Sequence, residues 1–282
     1  MKIREILKLI RGKRAVDGAG VSLVRVLGNE TVEEFDPFLM LDSFDSTDPN
    51  DYIAGFPIHP HRGIETVTYL ISGRIDHKDS LGNSGTISGG ECQWMTAGSG
   101  IMHEEMPKPS DRMLGFQLWL NLPAKDKMCE PAYNAISRED MPSINENGAE
   151  IAVISGNFKT LQGFKPKYID ATILDVKLGK GKSIELETKN ETVFVFLING
   201  DAVIGGKRIA EKTAVLFGDG DFISVNAPDD GECRFIFYSG STLKEPVAWG
   251  GPIVMNTQKE LREAFNELRN GSFIVKKRDA QL

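Results

Sequence analysis

His59-Pro60-His61-Arg62-Gly63-Ile64-Glu65-Thr66-Val67-Thr68-Tyr69-Leu70-Ile71-Ser72-Gly73 decides the secondary-structure class. From Glu65 to Ile71 the run is dense in β-branched and aromatic residues, and Ser72-Gly73 ends it, which is how a strand and its stop are written. Glycine-bearing turns follow at Gly82-Asn83-Ser84-Gly85 and at Ser88-Gly89-Gly90. Short strands at regular intervals with glycine between them argue for an all-β sandwich or barrel.

The same stretch opens a possible metal site. The chain has four histidines, His59, His61, His77 and His103, and all fall between Phe56 and Pro107. On a strand, side chains at i and i+2 share a face, so His59 projects with His61 and His103 with Glu105. Pro60 biases His59 to extended backbone and suits a strand end or edge. If the intervening strands bring the pairs face to face, three imidazoles and one carboxylate converge. That set suits Fe(II), Mn(II), Ni(II), Cu(II) or Zn(II), and an octahedral ion keeps two positions for water or substrate. A lone His-x-His also occurs on solvated strand faces, but two pairs that gather most of the histidines are harder to explain that way.

At 282 residues, 26% charged and 40% hydrophobic, the chain has the composition of an ordinary soluble protein with room for two cores. Its net charge of −7 argues against general attraction to nucleic acid. Charge interrupts the apolar residues of the N-terminus, and no run approaches a membrane span. Cys92, Cys129 and Cys233 are odd in number and widely spaced, as expected of free thiols in a reducing cytoplasm.

Outward from the centre, Lys2, Arg4, Lys8, Arg11, Lys13 and Arg14 form a basic cluster, read as a solvated face with a partner-binding surface as the alternative. Val21–Leu27 reads as a strand, and residues 45–51 as an acidic surface loop. Glu104 points away from Glu105 and is expected in solvent, and His77 is expected as a satisfied histidine at a polar strand end. Arg62 and Gln117 are candidates to support the ligands. Phe116, Leu118 and Leu120 share one face of a strand, and Gln117 and Trp119 the other. Phe38, Met40, Trp94 and Met95 are candidates for a pocket wall. Residues 123–142 lack a strong strand pattern and read as the crossing between halves.

A second β-rich half follows. Its Glu191-Thr192-Val193 echoes Glu65-Thr66-Val67, which suggests an internal duplication. The second half has no histidine; Glu185 and Glu187 stand where His59 and His61 would align, and they read as solvated. Thr257-Gln258-Lys259-Glu260 fits a capping box, Leu261, Phe265 and Leu268 recur on one face, and Asn270-Gly271 stops the one clear helix.

Three stretches carry a family resemblance: His59-Pro60-His61-Arg62-Gly63-Ile64-Glu65-Thr66-Val67, Gln93-Trp94-Met95-Thr96-Ala97-Gly98-Ser99-Gly100-Ile101 with His103, and Gln117-Leu118-Trp119-Leu120-Asn121-Leu122-Pro123. With Asp36–Asp42 and Gly251–Thr257, they resemble the pirin family of bicupins. The resemblance implies two tandem cupin barrels, each a double-stranded β-helix, with a C-terminal helix. A metal-binding domain over 1–130 and a ligand-free one over 131–282 are expected. It also implies one divalent metal ion, with Fe(II) expected and Mn, Ni, Cu or Zn as alternatives, on His59, His61, His103 and Glu105. In many other cupins the first motif supplies the carboxylate, so Glu65 competes with Glu105. Some pirins cleave quercetin with O2 and release carbon monoxide. The expected activity is therefore dioxygenation of a small phenolic, with Glu105 as catalytic base. Others are iron-containing partners of transcription factors or metabolic enzymes, which leaves a redox-sensitive regulatory role as the competing expectation.

Overall fold

The computed structural model describes residues 1–274. In its first half, β1 (Ile6–Arg11), β2 (Lys13–Asp17), β3 (Val21–Leu27), β4 (Phe38–Ser46), β5 (Phe56–His61) and β6 (Ile64–Ser72) come first. They are followed by β7 (Arg74–Asp79), β8 (Ser84–Ser88), β9 (Glu91–Thr96), β10 (Ile101–Pro107), β11 (Met113–Asn121) and β12 (Ala132–Ile136). Eleven of these strands make the first barrel, from a seven-stranded sheet ordered β12-β9-β6-β11-β4-β3-β2 and a four-stranded sheet ordered β5-β10-β7-β8. The second half repeats this plan with sheets of seven and four strands. The chain is two tandem cupin barrels with a C-terminal helix.

Every residue of β11 is buried because each of its faces has a different neighbour. Phe116, Leu118 and Leu120 join Phe38, Tyr69 and Trp94 in a core shared with Phe194, Phe196 and Tyr238 of the second barrel. Phe194 stacks on Tyr238 at 4.6 Å and meets Phe38 edge-on at 5.1 Å. Such pairs contribute about 0.5–1.5 kcal/mol beyond their buried area. The alternate residues, Gln117 and Trp119, face into the first barrel, as the period-two pattern requires.

The two interiors differ in kind. Val195, Leu197, Val215, Val225 and Phe235 fill the second barrel with apolar side chains. The first encloses Thr68, Gln93, His103, Glu105 and Gln117, all buried. Buried polar groups need partners, so the first interior is the one arranged for chemistry. Glu185 and Glu187 are exposed, as expected.

Each terminus reaches across to the other half. β1 pairs antiparallel with Thr213–Phe217 of the second seven-stranded sheet. At the other end, Ile253 bridges to Arg62, and helix Gln258–Asn270 packs Leu261 and Ala264 on Ala248, Ile253 and Met255. Thr257 and Glu260 close the capping box, and Gly271 ends the helix at φ 78°, a left-handed conformation that suits glycine.

Two local readings change. The expected crossing over residues 123–142 contains β12, which pairs along β9 and buries Ile136 in the shared core. Its strand signal is faint because Pro131 and the polar residues flank a run of only five. In the expected acidic loop over residues 45–51, β4 continues through Asp45 and Ser46. Asp45 is held there by ion pairs to Arg112 and Lys212 at 2.8 and 2.7 Å.

Candidate metal centre

β5 and β10 are antiparallel neighbours, with His103 opposite His59 and Ile101 opposite His61. A register shift between His103 and Glu105 interrupts the pairing beside the histidines. The consequence is a three-imidazole cluster. Ring centroids lie 4.8 Å apart for His59 and His61, 4.4 Å for His59 and His103, and 5.0 Å for His61 and His103. One nitrogen from each ring lies within 4.8 Å of the other two, so the three could hold a single ion.

Hydrogen bonds assign the free nitrogens. His59 Nδ1 lies 2.9 Å from the Pro57 carbonyl and His61 Nδ1 3.3 Å from the Pro252 carbonyl. A carbonyl only accepts, so Nδ1 carries the proton in both rings and Nε2 presents its lone pair. The two Nε2 atoms stand 3.0 Å apart, two acceptors facing each other with a cation as the group that would reconcile them. His103 is buried, and among the described residues neither of its ring nitrogens has a hydrogen-bond partner. Burial pushes the His61 imidazole down to about 3 and that of His103 well below its usual range, with the neighbouring histidines adding to both effects. Neutral, buried, partnerless imidazole is the form that ligates a transition metal, and the residues fit that group.

Glu105 lies on the same strand and is also buried, but it is not part of the three-residue cluster. Its Oε1 accepts from Thr68 Oγ1 at 3.1 Å and its Oε2 from Gln117 Nε2 at 2.7 Å. Burial raises its pKa, while His59, Gln117 and Thr68 pull it back. Glu65, the competing carboxylate, belongs to the other face of β6, where Oε1 accepts from Thr96 Oγ1 at 2.6 Å.

The supporting residues divide. Gln117 holds Glu105, whereas Arg62 turns away from the histidines. Its guanidinium donates to the Ser99 and Phe273 carbonyls at 2.7 and 2.9 Å, pairs with Glu267 at 2.7 Å and lies 4.2 Å from the Phe273 ring centroid. It fastens the C-terminal helix to the strand ends that carry the histidines. His77 is buried in mid-sheet, stacked on Tyr133 with its Nε2 2.6 Å from the phenol oxygen. Glu104 is half-buried and pairs with Lys78 at 2.8 Å.

A cavity of about 520 Å³ opens beside the cluster, lined by His59, His61, Gln117, Trp119, Met40 and Arg25 among others. Of the expected wall residues only Met40 lines it. Phe38 and Trp94 point into the core shared by the barrels, and Met95 packs beneath with Ile64 and Ala97. Trp119 meets His61 edge-on at 5.0 Å, and Trp249, from the second half, lies 5.8 Å from Trp119. Trp249, Arg25 and the Pro252 carbonyl belong to no ligand pattern legible in the sequence, since each reaches the site only through long-range pairing. Nor does the sequence point to Lys127, buried with its Nζ donating to Gly63 O, Asn121 Oδ1 and Val254 O at 2.8, 2.6 and 3.0 Å. Lys127 ties the turn after His61 to the segment that supplies Pro252. No helix among the described residues is long and apolar enough to cross a membrane.

Residues 20–120 match the family model described as Pirin, and residues 173–274 the Pirin C-terminal cupin domain. A pirin-like protein of Caulobacter vibrioides is 40% identical over 97% of this chain and 100% of its own length. Pirin of Homo sapiens is 38% identical over 95% of this chain and 93% of its own. The crystal structure of quercetin 2,3-dioxygenase from Acinetobacter baumannii matches with a TM-score of 0.87 at 33% identity, covering 96% of this chain and 98% of that one.

Proposed function

The chain belongs to the pirin family, and from that premise we propose that it is a metal-dependent dioxygenase cleaving quercetin or a related flavonol with O2. The observation that carries the reading is His103, a buried ring with two partnerless nitrogens inside a three-imidazole cluster. The similarity to a solved quercetin 2,3-dioxygenase supports the same substrate class.

On this reading His59, His61, His103 and Glu105 are the metal ligands, with Fe(II) the expected ion and Mn, Ni, Cu or Zn chemically admissible. The bound ion supplies Lewis acidity and a template for the adjacent hydroxyl and carbonyl oxygens of a flavonol. The protein does the rest. Trp119 and Trp249 give a flat substrate an aromatic wall. Glu105, its proton affinity raised by burial, would accept the flavonol hydroxyl proton as general base when loosely held by the ion, while Thr68 and Gln117 keep its two oxygens aimed.

A regulatory role would need a docking surface, and the N-terminal basic cluster was its best sequence support. Two of its six members are engaged within the fold. Arg4 is buried and donates to the Gly218 and Asn190 carbonyls, and Lys8 pairs with Glu34 at 2.7 Å. The enzymatic reading is the better supported. Cys92, Cys129 and Cys233 are free cysteines.

The test is anaerobic loading with Fe(II), then O2 and quercetin. The reading expects loss of the flavonol with release of carbon monoxide, and loss of that turnover in His59→Ala and His103→Ala proteins. Full turnover in either variant would sink it.

A further inference from the structure

We propose that Arg25 is a specificity-determining residue of this pocket, reading a hydroxyl on the pendant phenyl ring of the flavonol; the proposal rests on the dioxygenase reading above. Its basis is one row of residues across the seven-stranded sheet. Thr68 on β6 stands opposite Gln117 on β11, Gln117 opposite Asp42 on β4, and Asp42 opposite Arg25 on β3. Directly opposed residues share a face of the sheet. The row that starts with the two residues holding Glu105 therefore ends at Arg25 on the same inner face. With strands spaced about 4.8 Å apart, Arg25 stands two spacings from Gln117, roughly 10 Å. Arg25, His59 and His61 line one cavity, so a flat substrate with its reacting oxygens at the histidines can present its far ring to Arg25.

The guanidinium is fixed in advance. Nε donates to Asp42 Oδ1 at 2.9 Å, and Nη2 donates to Asp42 Oδ2 and to Asp17 Oδ2, each at 2.7 Å. Asp42 is buried, so the base of the fork cannot swing. Among the described residues, Nη1 takes part in none of these bonds, and Arg25 lines the same cavity as His59, His61 and Trp119. A held fork with one free edge is a pre-oriented donor for an oxygen.

Charge narrows the ligand further. Two carboxylates surround one guanidinium, so the local balance is negative and an anionic group, such as a sulfated or carboxylated ring, is disfavoured. A neutral phenolic hydroxyl fits, since it accepts from Nη1 and can donate to the exposed Asp17 carboxylate. The class selected is a flavonol with free hydroxyls on its pendant ring.

The test measures kcat and KM of the metal-loaded protein on two flavonols, one with hydroxyls on the pendant phenyl and one with that ring bare. The wild type should favour the hydroxylated compound by about tenfold, carried by KM, because one hydrogen bond remote from the reacting atoms is worth about that factor. In Arg25→Lys, which keeps the charge against Asp42 and loses the fork, the preference should vanish through a higher KM for the hydroxylated compound. The double variant Arg25→Met with Asp42→Leu removes both partners, leaves no unpaired buried carboxylate and should give the same result. A preference that survives both variants, or equal losses on both compounds, overturns the proposal. Equilibrium binding of the two flavonols, followed by quenching of tryptophan fluorescence, separates this claim from the reaction. An Arg25-dependent preference in binding without ring cleavage would retire the dioxygenase and keep Arg25, and cleavage without preference would do the reverse.

Discussion

Gln117 Nε2 stands 2.7 Å from Glu105 Oε2, and the opposite end of the same amide, Oε1, accepts from Trp119 Nε1 at 3.2 Å. The indole fixes which way the amide points, and the amide fixes the carboxylate. Gln117→Ala should therefore leave a buried carboxylate oxygen unpartnered, at about 1–3 kcal/mol of stability. Flavonol turnover should fall about 10–100-fold, the usual effect of losing a residue that orients a ligand, with the three histidines still able to bind metal. Parallel metal analysis and steady-state kinetics check this, and turnover equal to wild type would show that the amide does not orient the base.

Glu65 supplies a discriminating control. Because its carboxylate bonds to Thr96 on the far face of β6, Glu65→Gln should keep full metal content and turnover, whereas Glu105→Gln should not. The pair also predicts a pH dependence. Burial raises the Glu65 pKa above its ordinary value of 4.5. Below that value both folded and unfolded chains hold the proton and the carboxyl costs nothing. As pH rises through it, the unfolded chain releases its proton first, so the folded state loses stability until its own, higher pKa is passed. Urea denaturation from pH 4 to pH 8 should then show Glu65→Gln gaining on the wild type as pH rises, and a constant difference would refute the assignment.

Arg62 is expected to matter for stability more than for chemistry. Arg62→Met strands the Ser99 and Phe273 carbonyls and unpairs Glu267. Since Glu267 is partly exposed, the loss should be about 2–4 kcal/mol rather than that of a fully buried pair. Chemical denaturation measures it, and a variant as stable as wild type would mean that the C-terminal helix is not fastened through this residue.

Trp249 brings the second half into the pocket. Trp249→Ala removes the outer partner of Trp119 and should raise KM for a flavonol several-fold, in the range of one aromatic contact of about 0.5–1.5 kcal/mol, while leaving metal content unchanged. An unchanged KM would remove Trp249 from the binding wall.

The sequence made the strands of the first barrel legible because their periodicity is strict. Glu65 to Ile71 and Phe116 to Leu120 alternate between two buried environments, one apolar and one polar, and the i, i+2 histidine pairs are written in that same alternation. The short strand over Ala132–Ile136 was hidden because five residues between polar neighbours carry too little pattern to outweigh a proline. Arg25, Trp249 and the Pro252 carbonyl were invisible for another reason. Each reaches the site through long-range pairing, by the register of β3 on β4 or by a C-terminal segment folding back to the first barrel. Arg62 shows the converse error, since a neighbour of a ligand in sequence points away from it on the adjacent face.

The central claim is that His59, His61, His103 and Glu105 grip one metal ion whose remaining positions stay open. Protein purified without added metal should be submitted to elemental analysis and X-ray absorption spectroscopy together, beside His103→Ala. We expect one transition-metal ion per chain, iron foremost, in nitrogen and oxygen coordination with exchangeable sites, and none in the variant. A wild type that retains no stoichiometric metal after loading, or one that holds a closed tetrahedral zinc, would contradict the account.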